Sequence, residues 1–137
     1  MTDFAPSTLD ALRVARTVEI ETSDGSGGRV HRAVIWIVVD DEDRVLVRSV
    51  RGTRGRWYRE LLTNPTGAVH LAGIRIGIVA EPAADPARVA SCSAALTAKY
   101  RTSRGSLASM VRDEILETTL ELRRPEAVAS ASVLRYP

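Results

Sequence analysis

The fold is most clearly indicated by the stretch VHRAVIWIVVDDEDRVLVRSV, residues 30–50. Its first part, residues 30–39, contains the unbroken apolar run Ala33–Val39, which is typical of a central strand covered on both faces. The acidic residues Asp40–Asp43 form a solvated turn, and Arg44–Val50 predicts the next strand. This stretch therefore predicts two neighbouring antiparallel strands.

Alternating patterns on both sides of this stretch add further strands. Residues 17–23 alternate apolar and acidic side chains and lead into a glycine-rich turn, which completes an antiparallel meander of three strands. Residues 67–71 and 74–81 predict a second hairpin across Ala72 and Gly73. Alternation over residues 116–123 predicts a closing strand, and Pro125 ends it.

Helical signals lie between these strands. Ser7 to Asp10 has the spacing of a capping box and predicts an N-terminal helix. Residues 56–63 predict a short helix that Asn64-Pro65 ends, and Asp85-Pro86 predicts the start of the longest helix. A further short helix is expected over residues 106–113. The order predicts an α+β or mainly β domain over residues 1–125, a six-stranded antiparallel barrel with two to four helices packed outside, and a tail over residues 126–137.

Composition excludes several protein classes. A chain of 137 residues with 45% hydrophobic and 26% charged residues is typical of one globular domain. The single cysteine, Cys92, excludes an internal disulfide framework. The sequence has neither a targeting signal at its start nor an apolar stretch long enough for a membrane span. We therefore expect a soluble, cytoplasmic protein with no membrane partner.

The charge is concentrated in one segment. The whole chain carries a formal charge of +2, yet sixteen consecutive residues contain six arginines and no acidic residue: Arg44, Arg48, Arg51, Arg54, Arg56 and Arg59. Glycines and a predicted helix start lie among them, and both features suit a bound phosphate or carboxylate. The alternative interpretation is a solvated surface whose arginines pair with acidic residues. Binding of nucleic acid is not expected, because the rest of the chain carries an excess of acidic residues.

Other chemistry has little support in the sequence. The motifs of hydrolases and nucleotide-triphosphate enzymes are absent, and catalytic residues stay unknown. His31 and His70 have no acidic residue at metal-ligand spacing, so no metal site is expected, and Cys92 is expected to be a buried inert thiol. Trp36 is expected to fill the barrel, an oligomer contact or a ligand site. Trp57 suits a core position better than ring stacking. Any enzymatic activity would then depend on a bound cofactor.

The sequence also resembles a known group of proteins. The segments that carry the resemblance are Glu19–Glu21, Ile35–Val39, Val47–Gly52, Arg56–Arg59, Asn64-Pro65, Lys99-Tyr100 and Thr118–Leu120. They resemble a small bacterial family of unknown function that is similar to the split β-barrel flavin-binding proteins. Its nearest groups are the deazaflavin-dependent nitroreductases and the pyridoxamine-phosphate oxidase-like proteins.

The resemblance implies a site and a function. Arg48, Ser49, Arg51 and Gly52 would be ligands of the cofactor's phosphate, with Arg54, Gly55, Arg56 and Trp57 at the helix entrance and Trp36 beside the ring. The cofactor would be a deazaflavin or FMN, the activity that of a flavin- or deazaflavin-dependent oxidoreductase, and the assembly a homodimer. Two alternatives stay open: a non-redox binding or structural domain, and a cofactor-free enzyme, each acting on a small anionic or organic ligand.

Overall fold

The computed structural model describes residues 3–126. The helices are α1 (Pro6–Val14), α2 (Arg56–Thr63), α3 (Pro86–Lys99) and α4 (Arg104–Val111). The strands are β1 (Val18–Thr22), β2 (His31–Ile35), β3 (Val38–Val39), β4 (Val45–Val47), β5 (Thr66–Leu71), β6 (Ile74–Pro82) and β7 (Leu120–Arg123). Two 3-10 helices, Gly52–Arg54 and Asp113–Thr118, precede α2 and β7.

The strands form one antiparallel sheet of seven strands in the order β2-β1-β5-β6-β7-β4-β3 within the described residues. Strands β2 and β3 lie at opposite edges of this sheet, although Trp36 and Ile37 alone separate them in the chain. Two residues span only about 7 Å. The sheet must therefore curl until its two edges are adjacent, which makes it a half-barrel.

The prediction of six strands is wrong at the apolar stretch that first indicated the fold. Residues 30–39 were expected to form one central strand, but the structure divides them into β2 and β3 at Trp36, and both are edge strands. On β2 the side chains of Arg32 and Val34 are exposed, whereas Ile35 is buried. On β3, Val38 is buried in the cluster that includes α3 residues. The apolar run therefore reflects two different environments rather than one doubly covered strand.

The remaining elements follow the sequence closely, with small differences. Helix α2 and the β5–β6 hairpin match the prediction. No side chain caps α1, which begins at Pro6 after Ala5, so the predicted capping box does not form. The closing strand begins at Leu120 because residues 113–118 form a 3-10 helix. Of the expected C-terminal tail, residues 127–137 lie outside the described part of the chain.

Two buried clusters stabilise the half-barrel. One joins alternate strand residues, such as Ile20, Ile78 and Leu122, to α1 and α2. The other joins Leu46 of β4 to Leu96 of α3 and to residues of α4. Each fully buried aliphatic side chain contributes about 1.5–3 kcal/mol to folding. Across residues 3–126, the helices are too short or too polar to cross a bilayer.

Candidate functional site

Arg48, which follows β4, lies in the interior and is 2% exposed. Its Nε donates to Thr119 Oγ1 at 2.9 Å, and its Nη1 donates to Ser93 Oγ at 2.9 Å and to the Met110 carbonyl at 3.1 Å. Its Nη2 donates to the Val89 carbonyl at 3.1 Å. These bonds connect β4 to α3, to α4 and to the residue before β7. Arg48 therefore determines how the helices sit against the sheet.

No carboxylate balances the charge of Arg48 within residues 3–126. Its hydrogen-bond partners are hydroxyl and carbonyl oxygens, and burial lowers the pKa of the guanidinium from its ordinary value. Four of its five N–H groups donate to the protein, which leaves one N–H on Nη2. Arg48 also contributes to the wall of a cavity described below. Its guanidinium places a positive charge at the wall of this cavity, but the side chain does not project freely into the space.

The turn after Arg48 is held in one shape. The Ser49 N–H donates to Thr118 Oγ1 at 3.1 Å, and the Ser49 hydroxyl donates to the Gly52 carbonyl at 2.8 Å. Gly52 has φ +66, and a Cβ at Gly55 would lie 2.4 Å from Ser49 Oγ. Ser49 and the two glycines therefore shape the turn, and the Ser49 hydroxyl proton is already committed to the protein.

The other predicted arginines project outward into a groove of about 560 Å³ between this turn and β2. Its cationic lining consists of Arg51, Arg54, Arg56, Arg59 and, from β2, Arg32. We call this the arginine groove. The side chains of the first four arginines are exposed and form no hydrogen bond or ion pair with any residue among 3–126.

The four exposed arginines of the groove, which have no acidic partner among residues 3–126, contrast with other arginines of the same protein. Arg32, the fifth arginine of the groove, bonds Glu19 at 3.2 Å. Arg44 donates to Asp40 at 2.7 Å, and Arg88 bonds Glu81, Asp85 and Glu121. The alternative interpretation of the arginine-rich segment, a surface of mutual ion pairs, therefore describes Arg44 but not the groove. In addition, α2 begins at the groove without a side-chain cap, so its first N–H groups remain available to an anion.

A second cavity of about 310 Å³ adjoins the arginine groove. Val34, Val50 and Trp57 line both spaces. The other lining residues are the apolar Ile35, Trp36 and Met110 and the polar Thr17, Arg48, Ser106 and Ser109. We call it the tryptophan cavity.

The aromatic walls of the tryptophan cavity are fixed by stacking. The Trp36 ring lies 3.8 Å from the Tyr100 ring with an interplanar angle of 3°. Tyr100 is fully buried, and its hydroxyl donates to the Arg16 carbonyl at 2.8 Å. Trp57 meets Tyr58 edge to face, at 6.5 Å and 87°. Both tryptophans are only partly buried, so each presents the rest of its ring surface to the cavity.

The structure thus brings most of the predicted site residues around one connected space, in different roles. Ser49, Arg51, Arg54, Gly55, Arg56 and Trp57 line the arginine groove, while Trp36, Arg48 and Trp57 line the tryptophan cavity. Gly52 shapes the turn between them. Trp57, expected mainly as a core residue, borders both spaces.

Sequence reasoning missed His31 and Arg32 of β2 and Ser106 and Ser109 of α4, which also line these spaces. Alternation along β2 would have placed His31 and Arg32 on opposite faces, but it could not have predicted that an edge strand would border the groove. Among residues 3–126 there is no cluster of metal-ligating side chains. Burial raises the pKa of the Cys92 thiol to about 11, so this cysteine stays protonated.

Comparison with known proteins identifies the family. A model of the family described as "Uncharacterized protein conserved in bacteria (DUF2255)" matches residues 8–122. The chain belongs to this family. No curated protein matches the DUF2255 chain.

Solved structures with a similar fold include three whose names state a function. HutZ, the heme storage protein from Vibrio cholerae, has a TM-score of 0.62 at 16% identity, covering 90% of the DUF2255 chain and 91% of HutZ. An F420-H2-dependent reductase (FDR-A) has a TM-score of 0.57 at 13% identity, with 79% and 94% covered. A protein assigned as a pyridoxamine 5'-phosphate oxidase from Listeria innocua has a TM-score of 0.52 at 14% identity, with 85% and 87% covered. At these identities the likeness establishes the split-barrel fold.

Proposed function

We propose that this DUF2255 protein binds a phosphorylated, planar redox cofactor of the flavin or deazaflavin class and acts with it as an oxidoreductase. One observation carries the proposal: a largely apolar cavity walled by two tryptophans shares three lining residues with a groove that contains four arginines without a partner among residues 3–126. A flat ring and a charged tail on one molecule match this pair of spaces. The names of the structural neighbours agree with this class of ligand.

The residues fit such a group. The tryptophan cavity, at about 310 Å³, is at the lower end of the range for small-molecule sites, and its walls are mostly apolar with few polar groups. Trp36 and Trp57 would hold the ring, and Arg51, Arg54 and Arg56 would bind the phosphate by charge-assisted hydrogen bonds. When bound, such a cofactor supplies hydride transfer. The protein's own residues then bind and orient it.

The number of unpartnered arginines favours a tail with several negative charges. One phosphate can be bound by one or two guanidinium groups. In the arginine groove, four exposed guanidinium groups have no partner among residues 3–126. A deazaflavin with a polyanionic tail therefore suits the groove better than FMN does. Arg48 has a different role in this proposal: it builds the base of the ring site and directs its one remaining N–H and its charge toward that space.

We further propose that the protein works as a homodimer whose partner copy covers the mouth of the site. Val34 and Val50, which line both spaces, are 67% and 47% exposed. Apolar side chains beside a binding cavity favour contact with another apolar surface. A second copy would exclude water from the ring and leave the arginine groove accessible to the charged tail.

The proposal is tested by titrating FMN and a deazaflavin into the purified protein by calorimetry. The double variant Arg54→Gln/Arg56→Gln should weaken binding at least about tenfold, because a hydrogen bond to a charged group contributes about 1.5–3 kcal/mol and exposure to solvent reduces that value. The matched control is Arg101→Gln/Arg104→Gln, which removes the same charge from exposed arginines that line neither space. Equal affinities of the two variants, or no binding of either cofactor by the wild type, would refute the proposal.

A further inference from the structure

One side chain of the arginine groove differs from the rest: His31, the first residue of β2. Its Nδ1 lies 2.9 Å from Oε2 and 3.2 Å from Oε1 of Glu60 on α2. The hydroxyl of Thr22 donates to Glu60 Oε1 at 2.7 Å, so the carboxylate is held from two sides. The side chain of Glu60 is 14% exposed and that of His31 is 28% exposed. The imidazole is thus positioned by a fixed carboxylate at the wall of the groove.

This arrangement defines the hydrogen bonds that His31 can make. A carboxylate that already accepts a bond from Thr22 accepts again from the imidazole, so Nδ1 carries a proton. The other ring nitrogen, Nε2, has no hydrogen-bond partner among residues 3–126. The charged groups around the imidazole are Glu60, Asp24, which interacts with it electrostatically, and the arginines of the groove. Nε2 is therefore the atom through which His31 can contact a ligand.

We propose that His31 Nε2 donates a hydrogen bond to the phosphate group of the ligand in the arginine groove, and that Glu60 is its positioning residue. Glu60 holds the ring in place and balances the positive charge of the imidazolium that faces the anion. With a proton on each ring nitrogen, the imidazolium offers the phosphate a single directed N–H from Nε2, unlike a guanidinium. His31 would therefore fix the orientation of the phosphate, while the arginines supply most of the attraction. The proposal rests on the proposed function only in using the same groove.

The protein contains a matched control for this residue. The chain has two histidines, and the second, His70 on β5, also contacts a carboxylate: its Nε2 lies 2.7 Å from Glu21 Oε1. His70 lines neither the arginine groove nor the tryptophan cavity. His70 also contacts the Arg32 guanidinium, whose Nη2 lies 2.9 Å from Nδ1 and 3.0 Å from Nε2 of the ring. Both imidazoles thus contact a carboxylate, but only His31 borders the groove directly.

The test is proton NMR of the two imidazole C–H signals during titration with inorganic phosphate. The signals are assigned with His31→Gln and His70→Gln. We expect the His31 signal to shift and saturate with the phosphate Kd measured by calorimetry, while the His70 signal, which contacts the groove only through Arg32, shifts much less. His31→Gln should raise the phosphate Kd about tenfold, and Glu60→Gln should raise it as well, whereas His70→Gln should change it less than twofold.

The outcomes separate this inference from the proposed function. If phosphate or a cofactor binds with dependence on Arg54 and Arg56 but the His31 signal does not move, the inference is wrong and the proposed function stands. If both histidine signals shift equally, phosphate acts through ionic strength alone and the inference is again wrong. If neither phosphate nor a cofactor binds, both fail. The NMR titration uses the wild-type protein, and because the chain has two histidines, one folded variant of the two is enough to assign both signals.

Discussion

Arg48→Lys tests whether the planar guanidinium of the buried arginine, and not its charge alone, stabilises the fold. The variant keeps the positive charge in the interior but has one nitrogen in place of three, so it cannot reach four acceptors that surround a planar guanidinium. We expect at least two of the four hydrogen bonds to be lost. At about 1 kcal/mol for each bond, with a further penalty for buried oxygens left without a donor, the loss of stability is about 2–4 kcal/mol.

Urea unfolding monitored by circular dichroism measures this loss as a lower midpoint with an unchanged slope. In thermal unfolding, a protein of this size should lose roughly 6–15 °C in Tm. The control is Arg51→Lys in the same segment, whose exposed side chain has no partner among residues 3–126 and should change stability by less than about 0.5 kcal/mol. An Arg48→Lys protein as stable as the control would show that the hydrogen-bond geometry around Arg48 contributes nothing.

Three further predictions follow from single residues. Gly55→Ala should lower the free energy of unfolding by about 1–3 kcal/mol and weaken anion binding, because the added Cβ would lie 2.4 Å from Ser49 Oγ. Urea unfolding measures the first effect and phosphate titration the second. A variant unchanged in both would contradict the claim that the turn is held in one shape. Bonding to Arg75 lowers the pKa of Glu21 from 4.5 to about 2. The ionised carboxylate therefore stabilises the fold above pH 4.5, and this contribution is lost as the pH falls toward 2. Between pH 7 and pH 3 the free energy of unfolding should therefore fall less in Glu21→Gln than in the wild type. The Cys92 thiol, buried and with its pKa raised to about 11, should react with a thiol reagent only when the protein unfolds, and rapid labelling under native conditions would contradict this.

The local elements could be predicted from sequence because local signals define them. Helix α2 ends at Thr63, just before Asn64-Pro65, and α3 begins at Pro86, directly after the capping residue Asp85, whose side chain accepts a hydrogen bond from the Arg88 N–H. The division of residues 30–39 could not be predicted in this way. An apolar run has the same appearance whether one strand is covered on both faces or two edge strands face different clusters. At the point of division Trp36 stacks on Tyr100, a contact between residues distant in the chain that the local sequence does not indicate.

The arrangement of the candidate site also depends on tertiary contacts that the local sequence does not show. The sequence placed six arginines in one segment, but it could not distinguish the buried one from the exposed ones. The partners of Arg48 lie 41 to 71 residues away in the chain, in α3, in α4 and in the residue before β7, whose positions are known only from the fold. Likewise, His31 borders the groove because β2 is an edge strand, and strand order is a tertiary property. Residue clustering therefore predicted which segment lines the candidate site, while the position of each side chain required the structure.

The central claim is that a planar cofactor binds in the tryptophan cavity, and the chain's own fluorescence tests it most directly. The protein contains two tryptophans, and both line that cavity. Titration with a deazaflavin or FMN should quench the tryptophan emission to a saturating plateau, with the same Kd that calorimetry gives. Emission that stays constant, or that falls only in proportion to the light absorbed by free cofactor, would contradict the claim.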